Sequence, residues 1–164
     1  MDGNPLKNVE TFKYLGSCIN STANLDDEIL SRILRASQAF GRLHTRVWME
    51  WGISTRTRLD VYRAVVLPSL IYGCETWTCY RHHIKKLDLF HLRCLRKILR
   101  VSGKDRVPDQ EILRWAKLSG IEAMLNLAQL RRSGHVSRMN ADRLPKKLFY
   151  ADLAMSKRHV GGQR

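Results

Sequence analysis

Residues 83–101 read HIKKLDLFHLRCLRKILRV. Ile84, Leu87, Cys94, Leu95 and Ile98 recur at helical spacing and form one apolar face. Lys86, Arg93, Arg96, Lys97 and Arg100 line the opposite face. This separation predicts an amphipathic helix with one side in a core, and Gly103 follows as its stop. The charged side then needs a counterpart, and the rest of the chain bears on what that is.

Upstream, the helical signal continues. Asn24 is the expected N-cap of a helix whose first turn carries Asp26, Asp27 and Glu28, acids favourable at the positive helix end. The periodicity of Ile29, Ile33, Ala36, Phe40, Leu43 and Val47 extends this helix to about Trp48. Arg32, Arg35, Arg42 and Arg46 form an arginine stripe beside that apolar face, nearly free of acids. Ser54 caps a further helix carrying Leu59, Tyr62 and Val66, which Pro68 interrupts. Pro68 in turn suits the first turn of the next helix, with Leu70, Ile71, Cys74 and Trp77 facing inward.

Only residues 9–20, VETFKYLGSCIN, carry a β signal: they alternate apolar and polar around Gly16. Downstream, one helix opens near Pro108 and holds Ile112, Trp115 and Leu118. A second runs from Ile121 to about Arg132. The last thirty residues are basic, broken by Pro145 and Gly161-Gly162, and expected to be partly ordered. The fold class that follows is mainly α: a short N-terminal β-hairpin, a helical bundle, and a basic tail.

A chain of 164 residues with 44% hydrophobic content is long enough to bury a core. The 29 Lys and Arg against 15 Asp and Glu give a net charge of +14, which points to polyanionic partners rather than to any fold. The excess sits in two zones. Residues 81–106 and residues 131–164 each carry nine basic and two acidic side chains, and the segment between them is nearly neutral. Such zoning suits contact with a phosphate backbone at two surfaces.

The N-terminus carries no apolar run resembling a signal peptide, and VVLPSLIYGC at 65–74 is too short to span a bilayer. No membrane role is therefore expected, and the four cysteines are expected to stay reduced in an intracellular compartment, nuclear or cytoplasmic. Cys74, Cys79, His91 and Cys94 invite a zinc reading, but the first pair is too widely spaced for a knuckle. His91 and Cys94 also share the apolar face of the 83–101 helix. No metal and no cofactor is expected.

Five blocks occur in a recognisable order: TFKYLGSCI (11–19), EILSRILRASQAFGRL (28–43), LDVYRAVVLPSLIYGCETWT (59–78), LFHLRCLRKILRVS (89–102) and RRSGHVSRMNADRLPKKLFYADL (131–153). Together they resemble the C-terminal part of the reverse transcriptase of non-LTR (LINE-type) retrotransposons. The resemblance implies a primer-grip strand pair within residues 1–22, with Phe12, Lys13, Tyr14, Leu15 and Gly16 at the growing DNA end. It implies a helical thumb over 23–103 and a basic linker over 104–164. The partners implied are RNA, RNA–DNA hybrid or DNA. A-form hybrids are held mainly through phosphate and sugar contacts, which basic helix faces supply without sequence preference. The sequence departs from the family pattern at Arg132, where a tryptophan is usual before Gly134-His135.

LFYADL at 148–153 looks at first like an aromatic-x-Asp-Asp metal box, but Leu153 stands where the second carboxylate would be. The family's metal-binding carboxylates lie in the palm, before the primer grip, whereas Asp152 lies beyond the thumb. No catalytic residue is assigned. The resemblance implies an RNA-directed DNA polymerase as parent. Because Met1 stands about ten residues before the primer grip, fingers and palm are expected to be missing from this chain, as in a fragment of a decayed element that is inactive alone. Its remaining role would be hybrid or RNA binding through the basic helix faces, with the all-arginine stripe of Arg32, Arg35, Arg42 and Arg46 expected to be the main one because guanidiniums hold phosphates bidentately. The alternative is a free-standing helical module, recruited by its host to bind nucleic acid or protein without catalysis. An in-frame palm upstream of Met1 would favour the first.

Overall fold

In a computed structural model, which describes residues 11–14, 17–20 and 25–151, the chain is mainly helical. The helical elements are α1 (Asp26–Arg42), α2 (Thr55–Val61), α3 (Leu67–Ile71), α4 (Arg81–Leu99), α5 (Asp109–Ala116), α6 (Ile121–Ser137) and α7 (Leu144–Tyr150). Strands β1 (Thr11–Tyr14) and β2 (Ser17–Asn20) pair antiparallel, with Phe12 opposite Ile19. Leu15 and Gly16 lie outside the described residues, as do Asn24 and Asp152.

Helix α4 is the hub. It packs against α1, α2, α5 and α6, and its inner face buries Leu87, Cys94, Leu95 and Ile98 together with His83, His91 and Leu92. Each fully buried leucine or isoleucine contributes about 1.5–3 kcal/mol relative to exposure. The same core takes in Ile29, Phe40, Tyr62, Leu70, Ile112, Ile121 and Leu125, so one apolar cluster joins helices from α1 to α6.

The stop of α4 is not Gly103. Arg100 adopts a left-handed backbone (φ 57°), the Val101 N–H bonds to Arg96 O at 3.0 Å, and the Arg100 N–H bonds to Lys97 O at 3.3 Å. These paired bonds satisfy the last carbonyls and reverse the chain. Gly103 instead opens a 3-10 turn over Gly103–Asp105.

α1 ends six residues before Trp48, and a π turn over His44–Trp48 carries the chain onward. Trp48 stays inside: its indole N–H donates to Phe40 O at 2.7 Å and its ring stacks on Phe40 at 4.7 Å. Ser54 caps α2 by accepting from the Thr57 N–H at 3.1 Å. Pro68 does not break the segment. A π turn over Tyr62–Val66 carries the chain from α2 straight into α3, where Pro68 sits in the first turn and its missing N–H costs nothing. Gly73, left-handed at φ 77°, then ends this run. Cys74 and Trp77 are buried beyond it, outside the helix the spacing predicts.

α5 begins after Pro108 and buries Ile112 and Ala116, while Trp115 is half exposed. α6 runs five residues past Arg132. Its first N–H, at Ile121, is accepted by Asp88 Oδ1 of α4 at 3.0 Å. Among the described residues, no helix is long and apolar enough to cross a membrane.

Candidate nucleic-acid interface

The basic side chains sort by what they touch. Arg32 is buried, 3% exposed, and is therefore not part of an open arginine stripe. Its guanidinium lies 2.7 Å from the Glu28 carboxylate, donates to Ser17 Oγ of β2 at 3.0 Å, and covers the Tyr72 ring at 4.7 Å. It ties the strand pair to the bundle. The reason is positional: Arg32 stands three residues after Ile29 and four before Ala36, both fully buried, so the helix turns it inward. Arg35 is half-buried and lines a cleft of about 470 Å³ with Val65, Pro68 and Tyr72. Arg42 and Arg46 are exposed, Arg46 in the π turn after α1. Phe12 of β1 is exposed; the side chains of Lys13 and Tyr14 are outside what is described.

On α4, Arg96 turns sideways and anchors α5, donating to Val107 O at 3.0 Å and to Asp109 at 2.7 Å. Lys86 donates to Asp26 at 2.8 Å. Arg93, Lys97 and Arg100 remain on the outer face, exposed and spaced at four and three residues. Asp109 pairs with Arg96, while Asp88 and Asp105 accept the Ile121 and Ser102 N–H groups. Among the described residues, neither Arg93 nor Lys97 forms an ion pair with a carboxylate.

Asp26, His82 and His83 are the one grouping among the described residues with metal-like proximity. His83 Nδ1 accepts from the Tyr80 N–H at 3.2 Å, which leaves the proton of the neutral ring on Nε2, 3.3 Å from Asp26 Oδ1. A protonated Nε2 cannot ligate a metal, and Lys86 already supplies the cation at that oxygen. The Lys86 hydrogen bond, with the charges of Lys86, His83 and His82, holds Asp26 below its ordinary range. Burial and the charge of His82 push His83 down.

Cys74, Cys79 and Cys94 are buried thiols, and His91 does not join them in a metal-like grouping. Burial pushes Cys74 and Cys79 up to about 11 and Cys94 up to about 12. His91 Nδ1 instead shares a 2.7 Å hydrogen bond with the Tyr62 hydroxyl.

Residues missed by sequence reasoning are Tyr72, Trp51, Arg58 and Arg63. Arg63 donates to the carbonyls of Ala116 and Lys117 at 2.8 and 3.0 Å, closing the end of α5 onto the α2–α3 segment. Arg58, 4% exposed, donates to the carbonyls of Val47 and Glu50. Both arginines precede buried or helix-linking positions, but their carbonyl partners lie in loops that periodicity does not see.

No protein-family model and no solved structure matches the chain. It is 29% identical over 140 residues, 81% of its length, to a putative uncharacterized transposon-derived protein of Caenorhabditis elegans, of which it spans 48%. It is 28% identical over 69 residues, 42% of its length, to a retrovirus-related Pol polyprotein from the type-1 retrotransposable element R1 of Nasonia vitripennis, of which it spans 20%. The chain therefore spans about half the length of one relative and a fifth of the other, and its origin is retrotransposon-related.

Proposed function

We propose that this chain is the primer-grip and thumb part of a non-LTR reverse transcriptase, and that it holds the backbone of an RNA–DNA hybrid or RNA duplex without sequence preference. The observation that carries the reading is the outer face of α4, where Arg93 and Lys97 stand exposed and form no ion pair among the described residues. A rigid helix with uncompensated cations at i and i+4 binds a phosphate backbone by charge and shape, which suits an A-form duplex. The Pol relative and the order of the five sequence blocks support the same reading. With Arg32 occupied inside the bundle, α4 rather than α1 is the principal contact face. Phosphate contact is electrostatic, so affinity falls steeply with salt.

The test is the affinity of the chain for a blunt RNA–DNA hybrid across a salt series. Contact with about five or six phosphates gives a log–log slope near −4 to −5. A flat slope, or strong preference for one sequence, overturns the reading.

A further inference from the structure

Trp51 is 85% exposed, more than any other large apolar side chain among the described residues. A single surface hydrophobe is ordinary. Its mounting is not. The loop that carries it is pinned from below by the buried guanidinium of Arg58, which takes the carbonyls of Val47 and Glu50. Trp48 is locked to Phe40 on one side of the loop, and Ser54 caps α2 on the other. Trp51 is thus held at a fixed point with its ring outside the core.

The second observation comes from α4. The Arg100 guanidinium lies 4.6 Å from the centre of the Trp51 ring. Arg100 reaches it from a left-handed backbone position that glycine adopts at no steric cost, so a non-glycine residue stands there against its backbone preference. The pair also sits where the exposed cationic face of Arg93 and Lys97 ends.

We propose that Trp51 and Arg100 form a stacking platform for an unpaired nucleobase at the end of the basic face of α4, an inference that rests on the interface reading above. Every base has a π face that an exposed aromatic ring accepts without sequence preference, and a neighbouring guanidinium adds cation–π attraction. Arg100 covers one face of the indole and leaves the other to the base, with its charge beside the phosphate of the same nucleotide. Paired bases are already stacked, so the ligand is single-stranded nucleic acid where it leaves a duplex.

The test uses an RNA–DNA hybrid with a short single-stranded extension, compared with the same extension made abasic, which keeps the phosphates and removes the bases. Wild-type chain is expected to prefer the base-bearing form by about tenfold, equivalent to ~1.4 kcal/mol. Trp51→Ala abolishes the preference while leaving the abasic affinity and the melting temperature unchanged; Trp51→Phe keeps most of it. Arg100→Gly relaxes the backbone, so its melting temperature holds or rises while the preference shrinks. No preference in the wild type, or a preference that survives Trp51→Ala, overturns the platform, which is also what a protein-docking role for Trp51 would give. Failure of the wild type to bind the abasic form with salt dependence overturns the interface reading and the platform with it.

Discussion

The Arg32 guanidinium lies 2.7 Å from Glu28 Oε1, and both side chains are only 3% exposed. A charge held this far from water is tolerable only while its partner remains. Arg32→Gln leaves the Glu28 carboxylate buried without it and should destabilise the fold by about 3–5 kcal/mol, read by urea unfolding. Adding Glu28→Gln should recover much of the loss. Protein that stays folded should bind hybrid as the wild type does; weakened binding in folded protein would mean that Arg32 reaches phosphate after all.

Arg93 and Lys97 make the opposite prediction. Changing both to glutamine keeps helix propensity and removes two exposed charges, so helicity by circular dichroism should not move. The salt slope of hybrid binding should become shallower by about two. The matched change of Arg42 and Arg46 should cost less. A larger effect from the α1 pair would move the contact face to α1.

Acid should weaken the fold through His91. Burial lowers its pKa from 6.5 to about 4, the Ser119 backbone offsetting part of the shift. Between those values the unfolded chain binds a proton that the folded chain does not. Stability is therefore full above pH 6.5, falls as pH drops through the window, and levels off below about pH 4. At ~1.4 kcal/mol per pKa unit, His91 alone removes about 3 kcal/mol, and His83 acts in the same direction. Urea midpoints of the wild type should fall between pH 7 and pH 4.5 by more than those of His91→Gln. Equal falls would show that His91 titrates normally.

Lys117 ends α5 in a left-handed conformation, φ 53°, with Leu118 N–H bonded to Leu113 O and its own N–H to Arg114 O. Glycine fits that position without the steric cost. Lys117→Gly should raise stability by about 0.5–1 kcal/mol in thermal unfolding, because the Lys117 side chain is exposed and the carbonyl that Arg63 uses is retained. A lower melting temperature would show that the lysine side chain supports the turn.

The helices themselves were legible because each writes its pattern locally. The period of α4 names Ile84, Leu87, Cys94, Leu95 and Ile98 as core; the last four are buried and Ile84 is half-buried. Ser54 marks the start of α2, and Pro108 stands immediately before α5. What periodicity does not reveal is how a chain turns without glycine. Arg100 and Lys117 both stop helices where only the bonds of the folded backbone favour it, and π turns take the chain past Trp48 and onto Pro68.

The sequence by itself determined where the charge lies: a +14 chain with basic faces on two of its helices. Only the tertiary structure decided which of those charges are available. Spacing cannot separate Arg32 from Arg93, since each stands on an amphipathic helix. Their fates diverge because β2 and Tyr72 close over α1 and present Ser17 and a ring to Arg32, whereas Arg93 and Lys97 stay exposed on the outer face of α4. Desolvation obliges the first to pair inside the fold and leaves the second charged in water, and that difference exists only once the helices have packed.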